Sequence, residues 1–189
     1  MYAPDDERDD ASRGFISDVE TLRARARQHM ELGSVTPDYP DGRAQICQLL
    51  NEALATELVC VLRYKRHYFT ARGSAGKLAA AEFLEHANEE QAHADLIAHR
   101  IAQLGGDPDL NPATLLARSH SEYDQHESLK DMLQADLFAE RVAIESYREM
   151  VRYFGDRDPT SRRMMEEILA SEEEHADDLV NLLHDLPLG

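Results

Sequence analysis

The sequence predicts an all-α fold: a four-helix bundle with one long crossover, preceded by an extra N-terminal helix. Three observations carry this. Four segments, each of roughly 25–30 residues, repeat apolar positions at i, i+3, i+4 and i+7. No stretch sustains the alternation of a strand. Only a few residues separate the first segment from the second and the third from the fourth, so each pair should form an antiparallel hairpin. The connection from Gly105 to His126 is instead long enough to cross the full length of the bundle.

The breakers bound the elements in order. Residues 1–14, with five Asp or Glu in the first ten, read as a solvated, disordered acidic tail. A short amphipathic helix is expected from Phe15 to about Leu32, with Phe15, Val19, Leu22, Ala26 and Met30 on one side and Gly33 as its stop. Pro37 and Pro40 make a linker, so residues 1–41 stand apart from a bundle domain at 42–189. The first long helix runs from Gly42 to Ala71, capped by Asp41. The second runs from Ser74 to Leu104, before Gly105-Gly106. The third runs from Glu127 to Phe154, before Gly155. The fourth has Asp158 as N-cap, Pro159 at its first position, and reaches about Asp185.

Composition narrows the function. A chain of 189 residues suits one domain with a sizeable core. Its 20 Lys+Arg against 37 Asp+Glu give a formal charge of −17, the wrong sign for displacing counterions from nucleic-acid phosphates and the right one for gathering cations. No apolar run approaches the ~18 residues of a membrane span, and Met1–Asp10 lacks the chemistry of a secretory signal. Cys47 and Cys60 fall on one predicted helix about 20 Å apart, which gives neither a disulfide framework nor a zinc spacing. A cytoplasmic protein with no nucleic-acid and no membrane partner is expected.

Each apolar stripe is interrupted near its middle. Glu57 interrupts the first helix, Glu90 and His93 the second, Glu140 the third, Glu172 and His175 the fourth. Helices of equal length share their mid-height whatever their direction, so four carboxylates and two imidazoles converge on one level of the core. The pattern also repeats: Glu57 to Glu140 spans 83 positions, while Glu90 to Glu172 and His93 to His175 each span 82. Glu90–Asp95 and Glu172–Asp177 share the frame Glu-x-x-His-Ala-Asp. Tyr64 and Tyr147 each follow their glutamate by seven. A duplicated helical hairpin accounts for all of this.

One Glu-x-x-His pair is weak, since a solvated helix face carries such pairs by chance. Four carboxylates on core stripes are another matter, because each costs several kcal/mol to bury unless paired or ligated. Two divalent cations would balance them. Oxygen and imidazole donors suit iron, manganese or zinc.

The spacing Glu57, Glu90-x-x-His93, Glu140, Glu172-x-x-His175 resembles the ferritin-like carboxylate di-iron family, most closely the bacterioferritins. The resemblance covers roughly residues 42–185, including Glu57-Leu58-Val59, Tyr64, His93-Ala94-Asp95 and Met164–Leu169. It implies a ferritin-like bundle whose six residues are at once metal ligands and the catalytic set. Such a centre oxidises Fe(II) with O₂ or peroxide, with two iron ions per subunit, and the Fe(III) is stored in a homo-oligomeric shell. Three departures stand out. Gln91 occupies the place of the bacterioferritin haem-ligating Met, so no haem is expected. The chain stops at Leu186-Pro187-Leu188-Gly189, without the fifth helix of 24-subunit ferritins. Residues 1–41 are extra. A peroxide-consuming or oxidase di-metal enzyme of the rubrerythrin or manganese-catalase kind is the alternative, although no rubredoxin-type Cys-x-x-Cys pair is present.

Secondary positions stay open. Asp136, one turn before Glu140, is either the outer partner of a metal-bound histidine or a semi-exposed helix Asp. Tyr64 is expected to hydrogen-bond a metal-bound glutamate, Tyr147 to be a core tyrosine. Glu85, His86 and Glu89 form either an iron inlet or, more in keeping with their charge, a solvated face. Cys60 is read as a small core residue rather than a redox-sensitive neighbour. His29, His67, His99, His120, His126 and His184 match no ligand spacing and are expected at the surface or in loops.

Overall fold

A computed structural model describes residues 17–39 and 41–186. The expected acidic tail, and the start of the first helix at Phe15, lie outside the described residues. The rest fall into two compact units, one up to Asp38 and one from Tyr39.

In the first unit, α1 spans Val19–Ala26, with the Asp18 carboxylate accepting from the Thr21 amide as N-cap. It is shorter than the expected helix. His29 takes a left-handed conformation (φ 51°) that interrupts it before a single 3₁₀ turn at Met30–Leu32. The expected apolar side is not buried: Val19, Leu22 and Met30 are all exposed.

The second unit is the bundle. Helices α2 (Arg43–Thr70), α3 (Gly73–Gln103), α5 (Leu129–Phe154) and α6 (Pro159–His184) carry it, and α4 (Leu115–Arg118) is a single turn within the crossover. No strand occurs among the described residues. The architecture is therefore the ferritin-like bundle anticipated, with α2 packed along α3 and α5 along α6 as two hairpins. Gly105 and Gly155 close α3 and α5 at positive φ (72° and 43°), where a side chain would be strained. At α6, Asp158 caps as expected, accepting from the Ser161 amide, and it also binds Arg100 at 2.7 Å and the Tyr39 hydroxyl. Asp41 does not cap α2; Gly42 occupies that position at φ 100° with no side-chain cap.

The crossover is tied to α2 along its length. Asn51 bonds the carbonyl of Asp107 and the amide of Asp109, Arg118 reaches back to the Asn51 carbonyl, and Thr56 meets His120. Further on, Arg63 and Arg66 bond the carbonyls of Glu122 and His126. Apolar clusters fill both ends of the bundle. Leu50, Leu54, Ile97, Tyr147, Phe154 and Ile168 lie in one, Tyr64, Phe83, Ala87, Leu133 and Leu179 in the other. The expectation of no span-length apolar run needs amending. Over an 18-residue window α2 is long and apolar enough to cross a membrane, but as a core helix with more than half of that window buried.

Both cysteines lie on α2 and are free, Cys60 buried and Cys47 half-buried. Four of the unassigned histidines are exposed and His126 is half-buried, but His67 is fully buried, contrary to the surface reading. Its Nδ1 lies 2.8 Å from Asp136, whose other oxygen accepts from Arg63 at 2.8 Å. Asp136→Ala would leave a buried guanidinium unpaired and is expected to cost about 3–5 kcal/mol, read as a lowered midpoint in denaturant.

Candidate metal centre

All six candidates lie at mid-height of their helices and are buried: Glu57 on α2, Glu90 and His93 on α3, Glu140 on α5, Glu172 and His175 on α6. Helical spacing explains the pairs, since residues three apart share a face. The donor atoms form two groups, each with its atoms within 4.8 Å of one another. One holds Glu57, Glu90, His93 and Glu172; the other holds Glu90, Glu140, Glu172 and His175. Glu90 and Glu172 belong to both. The two shared carboxylates come from the Glu-x-x-His helices, and Glu57 and Glu140 stand at opposite ends.

The histidines turn Nδ1 inward. His93 Nδ1 is 3.1 Å from Glu172, 3.4 Å from Glu57 and 3.6 Å from Glu90. His175 Nδ1 is 3.1 Å from Glu172 and 3.6 Å from Glu90. Five buried atoms here have no hydrogen-bond partner: Glu57 Oε2, Glu90 Oε1, His93 Nδ1, Glu140 Oε2 and Glu172 Oε1. Buried polar atoms are rarely left this way, and when several face one point a cation is the natural partner.

The proton inventory agrees. Burial, then the charge of Glu90, pushes Glu57 up to about 8, and burial with Glu90 and Glu172 holds Glu140 well above the usual range. Burial works against the imidazolium of His93, yet the surrounding carboxylates of Glu172, Glu57 and Glu90 raise its pKa. His175, subject to the same burial, is pushed up to about 12 by Glu172 and Glu90. At neutral pH Glu57 and His175 therefore carry protons, which act as stand-ins for metal charge.

The outer partners differ from the sequence reading. Tyr64 on α2 donates to Glu140 on α5. Tyr147 on α5 donates in return to Glu57 on α2, so it is not a mere core tyrosine. Its position seven residues after Glu140 was the available signal. Asp136 contacts neither His93 nor His175, because Arg63 and His67 occupy both of its oxygens. The carboxylate on His175 Nε2 is instead Glu89, at 2.7 Å. Glu85 and Glu89 are exposed, in line with the solvated-face reading, but His86 is buried, stacked 4.1 Å from His175, with its pKa lowered to about 3 by burial and by His175. Cys60 is a buried core residue whose thiol burial pushes well up. Gln91 turns to Asp95 at 3.0 Å.

Known proteins agree with this architecture. The ferritin-like domain model matches residues 47–189. A nutrient stress-induced DNA-binding protein of Synechococcus is 34% identical over 74% of this chain and 81% of its own length. Bacterioferritin of Brucella melitensis is 33% identical, over 72% of this chain and 81% of its own. Among solved structures, the bacterioferritin-related protein of Bacteroides fragilis, a dodecameric thioferritin, superposes with a TM-score of 0.73 at 33% identity, covering 76% of this chain and 86% of its own. With a family match over most of its length and a buried six-residue Glu/His cluster at mid-bundle, the chain belongs to the ferritin-like domain family.

Proposed function

We propose that the chain is a ferroxidase and iron-storage protein. Glu57, Glu90, His93, Glu140, Glu172 and His175 hold two Fe(II) ions as substrate inside each subunit, without haem. The observation that carries this reading is the pair of donor groups joined by Glu90 and Glu172, which offers two adjacent cation positions with four carboxylates for balance. Manganese or zinc fits the same donors. Each Fe(II) gives up one electron. O₂ takes both with two protons and leaves as hydrogen peroxide; peroxide as oxidant leaves as two waters.

The chain's own groups prepare that exchange. Tyr64 and Tyr147 fix the rotamers of Glu140 and Glu57. Glu89 accepts from His175 Nε2–H, which sets the tautomer that presents a bare Nδ1 to the centre. The apolar clusters above and below keep water from the carboxylates.

The assembly is proposed to be a homo-oligomeric shell. Exposed Leu62, Phe69, Leu78, Leu96 and Phe138 supply apolar surface for subunit contacts. Although the Synechococcus relative is named for binding DNA, a charge of −17 disfavours that partner here, and a cytoplasmic setting suits the free thiols. The test is aerobic addition of Fe(II). Oxidation far beyond two irons per chain, with mineral retained on gel filtration, is the expected result. Rapid peroxide disproportionation with bound manganese and no retained mineral would replace this reading with the catalase-like one.

A further inference from the structure

We propose that Glu82, His86 and Asp178 form a third divalent-cation site, suited to a first-row transition ion, on the flank of the six-residue centre. One donor atom from each lies within 4.8 Å of the other two. Glu82 and His86 are four apart on α3 and Asp178 faces them from α6. His86 is 1% exposed, and its Nε2 has no hydrogen-bond partner. Two acidic oxygens lie close to it without hydrogen-bonding, Glu82 Oε1 at 3.4 Å and Asp178 Oδ2 at 3.8 Å.

The hydrogen-bond chain around His86 settles which nitrogen is bare. Tyr64 spends its proton on Glu140, so its oxygen is left to accept from His86 Nδ1–H at 3.2 Å. Nε2 then carries a lone pair with two carboxylates within 4 Å of it. A cation placed among them supplies the missing partner and balances the two acidic charges. Imidazole with two carboxylates suits iron, zinc, cobalt or manganese.

The internal repeat provides a control. Shifting by the 82 positions that relate Glu90 to Glu172 carries Glu82 and His86 onto Met164 and Ile168, and Asp178 onto Leu96. The sister half thus builds the same helix crossing from apolar side chains, with Ile168 buried in the core. Packing alone does not require a buried histidine at this position.

His86 stacks on His175, and Glu82 and Asp178 remain 30% and 50% exposed. The site therefore spans solvent and the centre, a staging post for ions on their way in. That role, unlike the site itself, rests on the function proposed above.

The test uses the double variant E82Q/D178N, which changes only the exposed rim, and anaerobic Co(II), which does not turn over. Metal counted after gel filtration should fall by one ion per chain relative to the wild type. In Co(II)-soaked crystals, the anomalous peak at His86 Nε2 should vanish while those among Glu57, Glu90, Glu140 and Glu172 persist. Equal counts, or no peak at His86 in the wild type, overturn the proposal. A fall from one ion to none supports this site even as it removes the two-ion centre. For staging, KM for Fe(II) should rise several-fold at unchanged kcat; an unchanged KM overturns that role.

Discussion

Glu172→Ala is expected to empty both metal positions of the centre, because this carboxylate belongs to both donor groups and lies 3.1 Å from each inward histidine nitrogen. Bound Co(II) should fall by two per chain. Fe(II) oxidation should slow by more than the 10–100-fold typical of losing an outer partner of a metal ligand. Glu57→Ala is the informative comparison, since Glu57 joins only one group. It should release one ion, keep the other and still lose fast oxidation, because the electron pair needs both irons. The helices should survive in either variant, as removing a buried carboxylate relieves repulsion in the metal-free protein. Native oxidation rates in both would refute the centre.

Metal loading should raise the melting temperature substantially, and more so at higher pH. An ion at a hundredfold excess over its Kd contributes about 2.7 kcal/mol. Two such ions in a chain of this size correspond to roughly 10–20 °C. The pH dependence follows from the protons held in the empty centre. Glu57 rises from 4.5 to about 8 and His175 from 6.5 to about 12, so the folded apo protein binds more protons than the unfolded chain across those windows. Apo stability therefore falls as pH climbs through them. Two divalent ions displace these protons, and the raised Glu140 and His93 act in the same direction. Apparent affinity should increase from pH 6 to 8, less steeply once Glu57 has ionised. Calorimetry in buffers of different ionisation enthalpy counts the protons directly. No release, with a melting shift under two degrees, would argue against metal at these residues.

Much of this was legible in the sequence because it rests on periodicity. The apolar stripes, the stops at Gly105 and Gly155, the cap at Asp158 and the glutamates interrupting each stripe are one-dimensional signals that helix geometry converts into place. Partnerships across helices were not legible. Asp136 sits on the right face at the right height, but which partners claim it depends on Arg63 and His67, both from α2. His67 matches no ligand spacing for the same reason: its role is to hydrogen-bond a buried acid far along the chain. Glu89 looked like one more surface acid, and only the approach of α6 makes it the partner of His175. In the first unit the amphipathic spacing overstated the helix, since His29 breaks it with a backbone turn that no periodicity foretells.

The crossed tyrosine–glutamate bonds have a mechanical consequence. Tyr64 reaches from α2 to Glu140, and Tyr147 from α5 to Glu57, so the two hairpins are riveted to each other at the waist, in opposite senses. Because α2 and α5 run antiparallel, axial slippage of one pair past the other would stretch both rivets at once or jam both. Breathing of the bundle is thereby directed to its ends, and amide exchange should be slowest around Glu57 and Glu140 even before any ion arrives.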